Sequence, residues 1–388
     1  LPHLKEAVIL LDQVIRKQEK ILIFGDYDAD GLTAAAILAR FLRLFSPQVE
    51  IYIPNRFREG YGLGREAVKG VLKREPHLVV TVDCGIKDRE GIAALKNQGV
   101  LVLVTDHHLP DFDLWPQGVC VVSTWDRDSQ EMISPLSGVG LALALAQAYG
   151  EYRGAKINPV EEYLDLACIG TVSDVAPLSG ENRVIVRYGL EKLNRNPCCG
   201  LRALSEVSGL EGKTIGTQEV GFILAPRINA AGRVEDSQPA LDLLLSDEYE
   251  EALKLANYLN TLNCRRQKEE EKVLESVLQD KKNEAYLQDE VVVISGSGWG
   301  QGVLGIVASR LSEQLDRPVI VLTEIDGMAI GSGRSIAGFS LSSALERSSS
   351  FLVRYGGHEM AAGLRLFSHK VEEFRHFLNE NFGEEVKK

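Results

Sequence analysis

The sequence predicts an α/β protein: a domain built on a parallel sheet, joined by a long helix to a smaller α/β domain. Three observations predict it. Continuous apolar runs such as ILIF, LVVTV and VLVLVT alternate with helical patterns. Such runs are what strands buried on both faces of a parallel sheet require. A highly charged stretch from Ser246 to about Leu287 contains neither proline nor glycine, as expected of one helix bridging two domains. A fresh strand–helix–strand pattern then begins near Asp289 with EVVVISG, VLGIVASRLSEQL and PVIVLT.

In chain order, residues 4–18 read as an amphipathic helix. ILIFGDYDADGLTAAAILARFLRLF reads as a strand, a carboxylate-rich turn and a helix. VEIYIPN and HLVVTVDCGI follow as strands, REGIAALKNQG as a helix, and VLVLVTDHH as a strand with three polar residues at its end. Residues 138–150 and 160–174 are helical in pattern, and 184–208 continue as short helices. The expected divisions are 1–210 for the first domain, 211–288 for a helical connector and 289–388 for the second domain. A chain of 388 residues is long for one domain and long enough to bury its cores without disulfides.

Composition narrows the function classes. No apolar run approaches the ~20 residues that span a bilayer, and the charged start LPHLKEAVILLDQVIRKQEK is no signal peptide. The 6 cysteines form no CxxC pair or zinc spacing, which fits reduced core thiols in a cytoplasmic protein. A net charge of −12 argues against broad, non-specific nucleic-acid binding but leaves room for a local basic groove. The chain opens on Leu1 rather than methionine, so a piece of a longer protein is expected.

Four apolar segments deliver acidic or imidazole groups at their polar ends. The first gives Asp26 and Asp28, the second Asp83, the third Asp106, His107 and His108, and the fourth, IGTVSDVAPL, gives Asp174. Each alone has an ordinary explanation as a turn, a cap or a solvated face. Four at the ends of apolar segments expected to be neighbours do not. Asp26 and Asp28 are two apart and can face one cleft, whereas Asp30 reads mainly as the N-terminal cap of the following helix. So many carboxylates cannot share a small cleft as bare anions. Two divalent cations resolve the repulsion, and hard oxygen ligands with one or two imidazoles suit Mn²⁺ or Mg²⁺. A pair of such ions is the standard clamp for in-line phosphoryl displacement.

At these residues the sequence resembles the DHH phosphoesterase superfamily: GDYDADG, VDCG, TDHH and GTVSDVAPL occur in that order. GSGRS and YGGHEMAAG resemble its DHHA1-type substrate-binding domain. GFILAPRINAAGR, LNCRRQ and GVLGIVASRL resemble the RecJ branch, the single-stranded-DNA-specific 5′-to-3′ exonucleases of DNA repair and recombination. The resemblance implies a metal set of Asp26, Asp28, Asp83, Asp106, His107, His108 and Asp174. Within it, Asp28, Asp83, His107 and Asp174 hold one ion, and Asp26 and Asp83 the other. His108 faces the scissile phosphate, Asp106 orients the histidine pair, and Asp83, His107, His108 and Asp174 carry the catalysis. Ser332, Arg334, Gly356, Gly357 and His358 would bind phosphates of the DNA, and Arg227, Asn229 and Arg233 its backbone. Single-strand-binding protein and a helicase are the implied partners. Phe24 stands where some relatives have a histidine, and Ser123-Thr124 where many have Asn-Pro. An OB-fold, usual after this region in bacterial relatives, is expected beyond the chain.

The residues of the second domain support that reading independently. Small neighbours let a phosphate approach the backbone at GSGRS, where Arg334 can fork onto it. Gly356-Gly357-His358 offers N–H groups and an imidazole. Two other classes compete: a phosphoesterase for small substrates (nano-RNA, cyclic dinucleotides, phosphoadenosine phosphate), and an inactive scaffold of the same fold. A cleft between the domains, its width set by the bridging helix, is expected to admit a single strand and refuse a duplex.

Overall fold

The structure, a computed structural model, describes residues 1–386. The chain divides into two compact units, Leu1–Asn263 and Cys264–Lys388.

The first unit is built on five strands: β1 (Ile21–Gly25), β2 (Val49–Tyr52), β3 (Leu78–Val82), β4 (Leu101–Asp106) and β5 (Cys120–Ser123). They lie in the order β2-β1-β3-β4-β5, every pair parallel. Alternation across the pleat explains the unbroken apolar runs. Ile21 and Ile23 face one buried cluster with Val80 and Val82, and Leu22 and Phe24 face another with Val79. Helices Ala29–Leu42, Gly138–Arg153 and Pro159–Ser173 pack in the first cluster, and helices Arg65–Leu72 and Arg89–Asn97 in the second. Phe24, whose position suggested a lost metal ligand, is fully buried and meets Tyr52 edge-on at 5.7 Å.

The register sets the site. Gly25 pairs with Val82, and Val82 with Thr105. The next residues, Asp26, Asp83 and Asp106, therefore stand side by side at the carboxyl ends of three neighbouring strands, roughly 4.8 Å apart. In a parallel sheet that is where ligands bind.

Residues 160–174, helical in pattern, form helix Pro159–Ser173, of which Asp174 is the C-terminal cap. One expectation needs correction. The long helix runs from Tyr249 to Gln279 rather than from Ser246 to Leu287. It stops because Asp280 turns extended and caps the short helix Lys281–Tyr286, accepting from the Lys282 N–H.

The second unit holds β6 (Val292–Ser297), β7 (Val319–Ile325), β8 (Met328–Arg334), β9 (Leu352–Gly357) and β10 (Ala361–Phe367) in the order β6-β7-β8-β10-β9. β6 and β7 are parallel, joined by helix Gln301–Leu315; the other pairs are antiparallel. Helix Gln301–Leu315 covers one face through Val303, Val307 and Leu311, and Phe374, Leu378 and Phe382 of the last helix cover the other. None of the six cysteines is in a disulfide, and no described helix is long and apolar enough to cross a membrane.

Candidate metal centre

Asp83 combines a left-handed backbone with near-complete burial. It follows β3 at φ 60°, a left-handed conformation that costs most residues about 1 kcal/mol and that Asp and Asn tolerate best. The turn aims its carboxylate across the sheet end, where helix Gly138–Arg153 begins. A Cβ on Gly138 would lie 2.5 Å from Asp83 Oδ1, so only glycine lets that helix start so close.

Backbone amides hold the other carboxylates. Asp28, not Asp30, caps helix Ala29–Leu42: its Oδ1 accepts from the N–H groups of Asp30 and Gly31. Asp30 serves a different helix, accepting from Gly138 N–H at 2.7 Å and Val139 N–H at 2.9 Å. The positive end of that helix thus faces Asp30 and Asp83. Asp106 accepts from Ile86 N–H through Oδ2, and from His108 N–H and Nδ1–H through Oδ1. Both of its oxygens are thus bonded to N–H groups. His107 is fixed by its carbonyl, which accepts from the Thr124 hydroxyl and the Trp125 indole N–H.

Three sets of donor atoms lie within 4.8 Å of one another: Asp83, His107 and His108; Asp30, His107 and Asp174; and Asp26, Asp28 and Asp83. Asp83 links the first to the third. Asp28 groups with Asp26 rather than with His107 and Asp174, and Asp30 takes the place beside that pair. His108 is the weakest donor of its set, because the ring nitrogen nearest Asp83 is bonded to Asp106 at 2.7 Å.

The fit to a cation rests on two atoms. Asp83 Oδ1 and His107 Nε2 are buried, and among the described residues neither has a hydrogen-bond partner. Yet they lie 3.1 Å apart. Such orphaned polar atoms are costly. Two ligands of one ion, each about 2.0–2.2 Å from it, stand roughly 3 Å apart.

Charge tells the same story. Burial and neighbouring carboxylates push Asp26 and Asp83 well above the usual carboxylate range. Burial, then Asp174, lifts Asp30 to about 7; burial, then Asp28, lifts Asp174 to about 7. Burial holds the His107 imidazole below its ordinary value. Burial also opposes the His108 cation, but Asp106, Asp26 and Asp174 outweigh it and raise that imidazole to about 9. Asp106 stays low despite burial because His108 faces it. Such a basin of depressed acidity is relieved by divalent cations.

A family model for the DHH family, N-terminal domain, matches residues 20–171, and one for the DHHA1 domain matches 288–384. The chain is 41% identical over 380 residues to the single-stranded-DNA-specific exonuclease RecJ of Bacillus subtilis, covering 97% of this chain and 47% of that protein. To RecJ of Salmonella typhimurium it is 38% identical over 405 residues, covering 100% of this chain and 69% of the relative. The chain belongs to the RecJ family. It spans about half the length of the Bacillus relative. A crystal structure of exonuclease RecJ bound to manganese superimposes with a TM-score of 0.85 at 38% identity, over 100% of this chain and 97% of that one. RecJ of Thermus thermophilus with Mn²⁺ gives 0.85 at 37%, over 98% and 54%.

The remaining residues singled out in the sequence fall on two surfaces. Arg227, Asn229 and Arg233 lie on helix Ala225–Val234. At about 100° per residue, Asn229 and Arg233 share a face and Arg227 lies nearly opposite. Arg227 donates to Asn260 Oδ1 and to the Ile223 carbonyl, and Asn229 faces the Asp26–Asp28 turn. In the second unit Ser332 and Gly356 pair with opposite edges of Gly363, and Arg334 and Gly357 with Ala361 and Ala362. His358 follows, its N–H donating to the Ala361 carbonyl. One end of that sheet thus carries Ser332, Arg334, Gly356, Gly357 and His358, with Arg334 against Gly305 of the covering helix.

Three residues beside the centre escaped the sequence reading. Tyr61 stands edge-on to His108 and to Tyr27, each at 6.2 Å, and Arg56 lies 5.4 Å over the Tyr27 ring. Arg56 and Tyr61 belong to the NRFREGYGLG loop, anchored where Asp88 accepts from Leu63 N–H, and Tyr27 belongs to the GDYDADG turn. The one signal was a glycine-rich loop with aromatic and basic residues after a parallel strand.

The raised carboxylates set a pH dependence. Folded Asp30 and Asp174 titrate near 7, their unfolded counterparts near ~4. The native state therefore binds more protons between those values, and without cations its stability falls as pH rises through about 7. Mn²⁺ replaces the protons, so the Tm gain on adding Mn²⁺ is expected to be larger at pH 8 than at pH 6 by scanning fluorimetry. Equal gains at both would refute this charge distribution.

Proposed function

We propose that this chain is a metal-dependent exodeoxyribonuclease that removes 5′-mononucleotides from single-stranded DNA, in repair and recombination. The observation that carries the reading is the buried, unbonded pair Asp83 Oδ1 and His107 Nε2 within a ring of aspartates, in a chain of the RecJ family. Metal-bound structures of similar proteins carry Mn²⁺ or Mg²⁺, and we assign a pair of such ions here. Asp26, Asp28 and Asp83 would hold one ion, and Asp83, His107 and Asp174 the other. When bound, the ions supply charge neutralisation at the scissile phosphate and polarise its oxygens.

The chain's own residues do the rest. Asp106 takes the Nδ1–H of His108, leaving Nε2 to face outward. With its imidazole raised to about 9, His108 carries a proton at neutral pH and can donate it to a phosphate oxygen. Tyr61 beside it walls one side of the site and offers a face on which a terminal base can stack. Arg227 and Arg233 of the first unit, and Ser332, Arg334, Gly356, Gly357 and His358 of the second, are assigned to DNA phosphates. The intact ligand set favours an enzyme over an inactive scaffold, and the APRINAAGR helix favours DNA over small substrates. A cytoplasmic location fits the unpaired cysteines. Single-strand-binding protein and a helicase are proposed partners by family likeness.

Asp83→Asn tests the chemistry. Asparagine keeps the left-handed backbone but removes the shared charge, so a loss on the order of 10³-fold in rate is expected with Tm retained. Retention of a tenth of the activity in excess Mn²⁺ would exclude a shared carboxylate.

Strand selectivity follows from depth. Asp83 and Asp26 are only 2% and 6% exposed, so the phosphate must descend to them, which a duplex about 20 Å across hinders and a lone strand does not. A 5′-tailed hairpin is expected to be digested to its junction while a blunt one resists; equal rates would remove the single-strand reading.

Arg334→Ala is expected to weaken oligonucleotide binding and to lower its salt slope by about one phosphate's worth. Binding with an unchanged slope would exclude Arg334 as a phosphate contact.

A further inference from the structure

The first four N–H groups of a helix have no partner within it. In helix Ala29–Leu42 most are accounted for locally: Asp28 accepts from Asp30 and Gly31 through its side chain, and from Leu32 through its carbonyl. The Ala29 N–H is different. It donates at 2.7 Å to Asn229 Oδ1, two hundred residues away in sequence. The same carboxamide donates through Nδ2 to Ser173 Oγ at 3.4 Å. Ala29 follows Asp28, and Ser173 precedes Asp174. One side chain therefore ties together the two segments that carry those carboxylates. One helical turn further on, Gly232 seats against the same loop: a Cβ there would lie 3.0 Å from the Tyr27 carbonyl. Helix Ala225–Val234 thus touches the Asp26–Asp28 turn twice along one face.

We propose that Asn229 is a positioning residue that sets the spacing between the Asp26–Asp28 turn and Asp174, and so the affinity of the centre for divalent cations. The proposal rests on the two-cation reading of the site. Asn229 is thereby a buttress of the ligand set and not a grip on DNA, the role its motif implied. Groups bonded behind metal ligands govern affinity because they fix donor positions before the ion arrives. Without Asn229 the buried Ala29 N–H loses its acceptor, and the turn can relax only by moving Asp28.

Titrate the full chain with Mn²⁺ alone, following free Mn²⁺ by electron paramagnetic resonance, and measure oligodeoxythymidylate binding separately. Asn229→Leu fills the same space without hydrogen bonds and is expected to weaken Mn²⁺ binding roughly tenfold or more, with Tm little changed. Asn229→Asp keeps an acceptor for Ala29 N–H, and the Ser173 hydroxyl can turn to donate, so Mn²⁺ binding is expected to stay near that of the unsubstituted chain. A purely space-filling role would not produce that rescue. Should the leucine variant fail to fold, Asn229→Ser, too short to span both partners, carries the same expectation of weakened binding. Unchanged Mn²⁺ affinity in Asn229→Leu beside a binding parent would overturn this proposal alone, as would an equal loss in Asn229→Asp. Loss of oligodeoxythymidylate binding with Mn²⁺ affinity intact would make Asn229 a DNA contact and overturn it too. Failure of the unsubstituted chain to bind Mn²⁺ would overturn the cation reading and this proposal with it.

Discussion

Mutual repulsion among Asp26, Asp28, Asp30, Asp83, Asp106 and Asp174, crowded with two imidazoles around the ends of three adjacent strands, governs the first unit. Carboxylates that close and that buried cannot all remain ionised without compensation. The fold answers with three kinds of positive partner. Backbone N–H groups at two helix starts serve Asp28 and Asp30. An imidazolium serves Asp106. Asp83 Oδ1 and His107 Nε2 are left buried and unbonded 3.1 Å apart, and for these a cation is the partner that fits.

This division separates carboxylates by task. Asp30 and Asp106 use both oxygens on amide or imidazole N–H groups, so they hold helices and histidines in place. Asp28 uses one oxygen as a cap and keeps the other. Asp83 alone is turned by a left-handed backbone into the middle of the cluster, against a helix start that tolerates only glycine. The strain at Asp83 and the close packing at Gly138 are costs of stability that place one carboxylate between two ligand sets.

The second unit solves a different problem with glycine-rich strands. β10 carries Ser332 and Gly356 on either side, and Arg334 and Gly357 one step further along. Residues some two dozen apart in sequence thus share one sheet end, where most side chains are small.

The sequence by itself determined the parallel sheet, because unbroken apolar strands need cover on both faces, and it singled out the acidic and imidazole groups that the fold gathers at the strand ends, because polar groups at the ends of apolar runs have no packing reason to be there. The match of its motifs pointed to the family that the similarity to known RecJ proteins bears out. Tertiary structure alone decided what each carboxylate does. Asp30 looked like a cap for its own helix, yet it caps one more than a hundred residues away, and Asp28 takes the local role. Asp174 meets His107 from the end of a helix. Arg56, Tyr27 and Tyr61 were invisible as a group because loop residues carry no periodicity. Asn229 bonds the Ala29 N–H, a contact between residues two hundred positions apart. Hydrogen-bond partners are chosen across the fold by direction and distance, and neither is written in the spacing of residues along the chain.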